Sequence, residues 1–333
     1  MAVLPPRGAP ALTVLLLALA GCGAAAPSTA PTAPSAAPAP ATPVATSAAP
    51  SPAAPAPTAP PCVPVPAGTS VRSAVVDGVT RQWRLTVPDR LPAGPVPVVV
   101  SFHGYGQSAA QQDTMTGLPA ATRAAGVVLL TPEGVAARWN FPRRAAIGPD
   151  DVAFTRALLA AVPATVCRPA GTVLVTGISD GGDMAVAVAC AAPSAVTAVV
   201  AVAPSVTPTC PALPPTVVEV HGTADPIVPF GGGGGDRPPP FQDTEARSAT
   251  ARAAAWAATE GCGPTATTTR PAADLVAVRW PCAGRSVELL EVVGGGHTWP
   301  GAAPTPSLGA TTHSLDASAA VTRLALDPTR SFG

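Results

Sequence analysis

The run Thr172-Val173-Leu174-Val175-Thr176 passes straight into Gly177-Ile178-Ser179-Asp180-Gly181, and that pentapeptide passes straight into Gly182-Asp183-Met184-Ala185-Val186-Ala187-Val188-Ala189-Cys190. The first run, apolar and β-branched, reads as a buried strand, and the alanine-rich run reads as a helix. A strand that becomes a helix within five residues must turn sharply. Glycine at each end of the turn omits the side chains that would strike the neighbouring strand or the departing helix. The turn lifts the serine hydroxyl above the strand ends, and the helix behind it offers backbone amides and a positive dipole end at the same place. A bare Gly-x-Ser-x-Gly arises by chance in a chain with 31 glycines. Between a strand and a helix it constrains the chain to a sheet with packed helices, and it makes Ser179 the candidate nucleophile.

The rest of the chain fits such a sheet. Arg72 to Val76 and Arg81 to Val87 read as a strand pair joined at Asp77-Gly78. Val98 to Phe102, Val127 to Leu130, Val196 to Val202 and Val217 to Val220 are short, nearly uninterrupted apolar runs, as strands covered on both faces tend to be, and Val287 to Val292 reads as a further strand. Helical stretches fall at Asp151 to Val162, Gly182 to Ala191, Thr244 to Thr259 and Leu315 to Leu326. Strands alternating with helices imply a mostly parallel central sheet with helices on both faces. Residues 62–333 make one domain of this α/β class, with no room for a large lid domain.

A serine hydroxyl becomes a nucleophile only when a base takes its proton, and the base needs a third group to fix its tautomer. Four histidines are available. His103 and His221 each end a strand in a His-Gly pair, where a histidine shapes a loop, and His313 lies in a polar stretch. His297 stands in Gly294-Gly295-Gly296-His297-Thr298-Trp299-Pro300-Gly301, a glycine-rich loop after a strand, and is the candidate base. The acid belongs between Ser179 and His297, just past a strand. Val217-Val218-Glu219-Val220-His221-Gly222-Thr223-Ala224-Asp225 supplies Asp225 there, ahead of the weaker candidates Asp236, Asp243 and Glu219. Serine, acid and histidine in this order fit the α/β-hydrolase arrangement. The backbone amides of Asp180 and of Tyr105, in the loop His103-Gly104-Tyr105-Gly106, are the candidate oxyanion donors. Nothing in the chain calls for a cofactor or a metal.

The front of the chain concerns location. Arg7 precedes a short apolar core from Ala11 to Leu19, and Leu19-Ala20-Gly21-Cys22 closes it with small residues before a cysteine. The segment is too short to span a bilayer as a helix. Residues 1–21 read as a signal peptide whose ending resembles the bacterial lipobox, with Cys22 as the lipidated residue. Residues 22–61 are then a linker: beyond Cys22 they contain only Gly, Ala, Pro, Ser, Thr and Val. Such a composition buries too little apolar surface to offset its ordering entropy, and in an extended proline-rich form it reaches roughly 120 Å at about 3.1 Å per residue. The expectation is an extracytoplasmic protein on a membrane through its lipid, or secreted.

The six remaining cysteines, Cys62, Cys167, Cys190, Cys210, Cys262 and Cys282, suit three disulfides outside the cytoplasm. Six cysteines allow 15 connectivities. Order along the chain favours the local pairs Cys190 with Cys210 and Cys262 with Cys282. The net charge is zero and no basic stripe is present, which argues against nucleic acid as a partner.

Taken together, His103-Gly104-Tyr105-Gly106-Gln107-Ser108, Arg138-Trp139-Asn140-Phe141, Asp150-Asp151-Val152, the serine turn, His221-Gly222-Thr223-Ala224-Asp225-Pro226-Ile227-Val228-Pro229 and the Gly294 to Gly301 loop resemble the polyhydroxybutyrate depolymerase-like esterases, which are similar to feruloyl and acetylxylan esterases. The resemblance implies an α/β-hydrolase with Ser179, Asp225 and His297 as its triad, acting on an ester, polymeric esters included. Trp299, Trp139 and Tyr105 are candidates for an aromatic acyl site, although Trp and Tyr are equally ordinary packing residues. Relatives commonly carry a neutral residue where this chain has Asp180. A carboxylate there opposes a developing oxyanion unless it points away or is paired. Two other classes stay open on sequence alone: a serine peptidase of the prolyl-oligopeptidase kind, and a hydrolase fold kept as a surface-binding lipoprotein.

Overall fold

The computed structural model describes residues 62–141, 148–205, 210–234 and 247–333. The leader, Cys22, the linker, Asp236, Asp243 and the first residues of the helix expected from Thr244 lie outside the described residues. Ten strands form one sheet: β1 (Gly68–Val76), β2 (Val79–Val87), β3 (Val96–Phe102), β4 (Val128–Pro132), β5 (Ala170–Ile178), β6 (Ala198–Val202), β7 (Thr216–Gly222), β8 (Thr267–Ala272), β9 (Leu275–Cys282) and β10 (Arg285–Val292). Their spatial order is β1-β2-β4-β3-β5-β6-β7-β10-β9-β8. From β4 to β10 every neighbouring pair is parallel, and an antiparallel pair extends each edge.

Helices α1 (Ala109–Thr116), α2 (Leu118–Ala125), α3 (Asp151–Val166), α4 (Asp180–Ala191), α5 (Ala249–Thr259) and α6 (Ala317–Leu326) connect and cover the strands. The two-residue period of the strands divides the core. Val98, Val100, Phe102, Val173, Val175, Val199 and Ala201 face α3, α4 and α5. Val99, Leu174, Ala198, Val200 and Val202 point the other way, to α2 and α6. The parallel strands are thus buried on both faces, as their unbroken apolar composition predicts.

Several boundaries moved. The last helix starts at Ala317, because the Asp316 side chain caps it by accepting the Ala319 amide. Helix α3 continues past Val162 to Val166, through Pro163. Helices α1 and α2 and the strand pair β8–β9 were not expected. Disulfides join Cys190 to Cys210, Cys262 to Cys282 and Cys62 to Cys167. The last closes a separation of 105 residues.

Candidate active site

Ser179 is the hinge between β5 and α4, with φ 57° and ψ −125°, a backbone conformation that a residue with a side chain holds only when its surroundings impose it. The glycines explain how. A Cβ on Gly181 would sit 2.2 Å from the carbonyl oxygen of Phe102, and one on Gly177 would sit 2.3 Å from that of Gly181. Strand β3, the turn and α4 therefore approach more closely than any side chain permits. The Asp183 amide bonds back to the Ser179 carbonyl, so the amides of the residues between them belong to the unpaired first turn of α4.

A ladder of backbone bonds carries the arrangement across the sheet. The amide of Ser179 donates to Val202 O, that of Ala203 to Val220 O, and that of Thr223 to Val292 O. The residues following β5, β6, β7 and β10 are thereby held at one end of the sheet, where Ser179, Asp225 and His297 all lie. Gly222 admits the histidine loop, since a Cβ on it would meet Gly295 O at 2.3 Å. Asp225 and His297 are brought together: His297 Nδ1 lies 2.8 Å from Asp225 Oδ2. The other carboxylate oxygen accepts the amides of Ile227 and Val228, each at 2.8 Å. Asp225 is thus both the turn-former that its place before Pro226 suggests and the partner of a histidine. Both side chains are buried, while Ser179 is half-buried. Nδ1 donates to the carboxylate, which leaves Nε2 as the basic nitrogen.

Tyr105 is 36 % exposed. Its loop is a tight turn closed by the Gln107 amide on Gly104 O. A Cβ on Gly104 would come within 3.6 Å of Ile178 O, which sets this loop against the serine turn. His103 is buried and takes no part at the surface. Nε2 accepts the Gly134 amide at 3.0 Å, and Nδ1 donates to Gly104 O at 2.9 Å. Burial holds its imidazole below the ordinary value, hence neutral, despite the carboxylates of Glu133 and Asp151.

The two tryptophans require a correction. Trp139 and Trp299 were candidates for the substrate wall, but they are 5 % and 1 % exposed and belong to the cores on the two sides of the sheet. Each also directs its indole N–H inward, Trp139 to His103 O at 2.8 Å and Trp299 to Ser318 Oγ at 3.0 Å. Trp139 stacks edge-on against Phe102 and leans over His103. The packing alternative holds for both. Asn140 and Asp151 are framework too, with the Asn140 amide on Asp151 Oδ2 at 2.7 Å and Arg81 paired to Asp151.

Asp180 resolves differently from a bare carboxylate. Its side chain is buried, with Oδ2 accepting the Trp139 amide at 3.1 Å and Oδ1 without a partner among the described residues. Burial first, and the neighbouring Asp183 second, push its carboxyl well above the usual range. The side chain is thus held on the Trp139 amide, and its environment disfavours the negative charge that would oppose an oxyanion. Asp183 is held by Ser205, whose amide and hydroxyl both donate to it at 2.7 Å. Sequence reasoning missed these carboxyl environments; two acids three residues apart in the first turn of a buried helix were the available signal.

No protein-family model matches the chain. The chain is 33 % identical over 324 residues to Putative esterase NocK of Nocardia uniformis subsp. tsuyamanensis, across 89 % of this chain and 90 % of that protein. The chain belongs to this esterase family. It is also 31 % identical over 181 residues to Probable feruloyl esterase C of Aspergillus oryzae, across 50 % of this chain and 64 % of that protein. Among solved structures, acetyl xylan esterase from Aspergillus awamori superposes with a TM-score of 0.52 at 14 % identity, covering 69 % of this chain and 94 % of that one. That likeness bears on fold, which is the α/β-hydrolase fold. The esterase is a carboxylic-ester hydrolase, and its substrate is an ester.

Proposed function

We propose that the protein is an extracytoplasmic serine esterase that works through an acyl-enzyme formed on Ser179. The observation that carries this reading is the buried His297–Asp225 contact at 2.8 Å, at the same end of the sheet as a serine in a strained turn. His297 Nε2 takes the Ser179 proton as Oγ attacks the ester carbonyl carbon, and Asp225 steadies the imidazolium that forms. The carbonyl oxygen gains the negative charge and is met by the amides of Asp180 and Tyr105. The imidazolium returns its proton to the departing alcohol. Water, deprotonated by the same histidine, then releases the acid and restores the serine.

The substrate class we favour is hydroxycinnamoyl, acetyl or polyhydroxyalkanoate-type ester, on the family resemblance and on relatives named as esterases. Three disulfides and the lipobox-like ending at Cys22 support a place outside the cytoplasm, anchored by lipid or released. Among the described residues no helix is long and apolar enough to cross a membrane. The test is hydrolysis of short-chain nitrophenyl esters, methyl ferulate, an oligomeric hydroxybutyrate and a proline-containing peptide by the parent and by Ser179→Ala. Ester turnover that vanishes in the variant is expected; parental turnover in the variant, or cleavage of the peptide alone, overturns the reading. Intact mass of the purified protein checks the anchor, by a diacylglyceryl increment on a chain that begins at Cys22.

A further inference from the structure

Behind Asp225 lies a second polar assembly, more deeply buried than the first. Glu219, in the middle of β7, and Arg252, on α5, are both fully buried and paired through two contacts, Arg252 Nε to Glu219 Oε2 at 3.0 Å and Nη2 to Oε1. Burial is the largest influence on both and opposes their ionisation, but the charges around them together outweigh it: Arg252 and His221 hold Glu219 below the usual carboxylate range, and Glu219 with Asp183 and Asp225 holds Arg252 above its ordinary value. His221 is the next member, with Nδ1 3.1 Å from Glu219 Oε1 and 3.2 Å from Arg252 Nη2. Its Nε2 lies 2.9 Å from Val228 O, a carbonyl that can only accept, so Nε2 carries a proton. The same nitrogen is 3.5 Å from Asp225 Oδ2, the oxygen that faces His297.

Val228 links the two assemblies. Its amide holds Asp225 Oδ1, and its carbonyl is held by His221. Phe230 packs edge-on against the His221 ring at 5.8 Å, and its carbonyl accepts the Ala249 amide at the start of α5. The acid loop is therefore closed on itself through β7 and α5. A buried ion pair is a poor source of stability, since well-packed apolar side chains do as well. What Glu219 and Arg252 give that apolar residues do not is a direction for the imidazole.

We propose that Arg252, Glu219 and His221 are positioning residues for ester hydrolysis: they clamp the Asp225–Val228 loop so that Asp225 presents Oδ2 to His297. The proposal rests on the triad reading above. His221→Asn shortens the side chain so that it no longer reaches Val228 O, whereas the amide nitrogen of His221→Gln reaches the place of the imidazole Nε2. His221→Asn is expected to lower kcat on the order of a hundredfold with KM unchanged, as a small misplacement of a catalytic group does. It should also weaken or remove the low-field proton resonance of the His297–Asp225 hydrogen bond. His221→Gln should recover most of both.

Parental kcat and an intact resonance in folded His221→Asn overturn the proposal, as does His221→Gln behaving no better than His221→Asn. If His221→Asn fails to fold, Glu219→Met combined with Arg252→Met removes both buried charges together, an exchange that folds tolerate. It leaves His221 undirected, and kcat should fall at least about tenfold by the same misplacement; parental kcat overturns the proposal. Ser179→Ala, run in parallel, separates the two readings. Activity that survives it removes the triad and this clamp with it. Loss in Ser179→Ala beside full activity in the His221 variants removes the clamp alone.

Discussion

The serine side of the site and the acid–base side are held in place by opposite means. After β5, position is fixed by exclusion: Gly177 and Gly181 let backbone atoms approach to distances a Cβ forbids, and Ser179 takes a backbone conformation with no other outlet. After β7 and β10, position is fixed by directed polar contacts, running from Arg252 through Glu219 and His221 to the loop of Asp225 and His297. Exclusion tolerates no added volume but is indifferent to charge. Polar contacts tolerate isosteric exchange only where donor and acceptor are preserved. Substitutions of the two kinds should therefore fail in different ways, in stability and rate together on one side and in rate alone on the other.

The largest effect is expected on the polar side. Asp225→Asn keeps volume while inverting the preferred tautomer of His297, and should lower kcat by about 10⁴ with the melting temperature almost unchanged. Stopped assays on the purified variant measure it; a loss below tenfold would move the acid to another residue. Gly181→Ala tests the other side: one methyl group, 2.2 Å from Phe102 O, should cost both stability and at least about a hundredfold in rate. A variant that melts like the parent would show that the close approach is not obligatory.

A smaller effect is expected for Trp139→Phe. It preserves the ring against Phe102 and leaves His103 O buried without its 2.8 Å donor, at a cost of about 1–3 kcal/mol in chemical denaturation. Rate should change much less than stability, because the contact supports the turn rather than the reaction. The smallest effect is expected for Asp180→Asn, which keeps the shape and removes a carboxyl whose charge burial already disfavours. The difference appears with pH. The folded carboxyl is raised above its unfolded value, so the folded state binds the extra proton. The parent's stability is then greatest below the unfolded pKa and declines as pH rises through the folded one. Asp180→Asn should flatten that decline in melts recorded from pH 4 to 9. A parallel decline in both proteins would place the titration elsewhere.

The exclusion-built side is much the more legible in sequence. Glycines four residues apart around a serine, between an apolar run and an alanine-rich one, declare a local steric problem, and local problems can be read from adjacent residues. Asp225 and His297 were legible for a related reason: each follows a strand end in a short glycine-bearing segment. Glu219 is the counter-example. It reads as a polar interruption in a strand, and as a spare acid for the triad, because Arg252 lies 33 residues away on α5 and nothing local announces their meeting. The tryptophans misled for the same reason: their neighbours on the chain are threonine, proline, arginine and asparagine, whereas their neighbours in space are core residues. Helix α1 escaped notice since, Ala109 apart, its buried residues are Gln112, Asp113 and Thr116, which form no apolar stripe. Strands β8 and β9 lie at the edge of the sheet, and the three threonines that open β8 are exposed, so neither alternation nor an apolar run marks it.

Cys62 is joined to Cys167 at the end of α3, and Val65 donates to Thr165 O beside it. The outermost hairpin, β1–β2, therefore lies downstream of a rivet. A pull delivered through the residues ahead of Cys62 passes through sulfur into α3 and the start of β5, in the middle of the sheet, and never reaches β1. Without that bond the same tension would act on the end of an edge strand, whose backbone pairs open in succession like a zip. The outer hairpin thus stands out of the line of a pull applied ahead of Cys62, which enters instead where the sheet is covered on both faces.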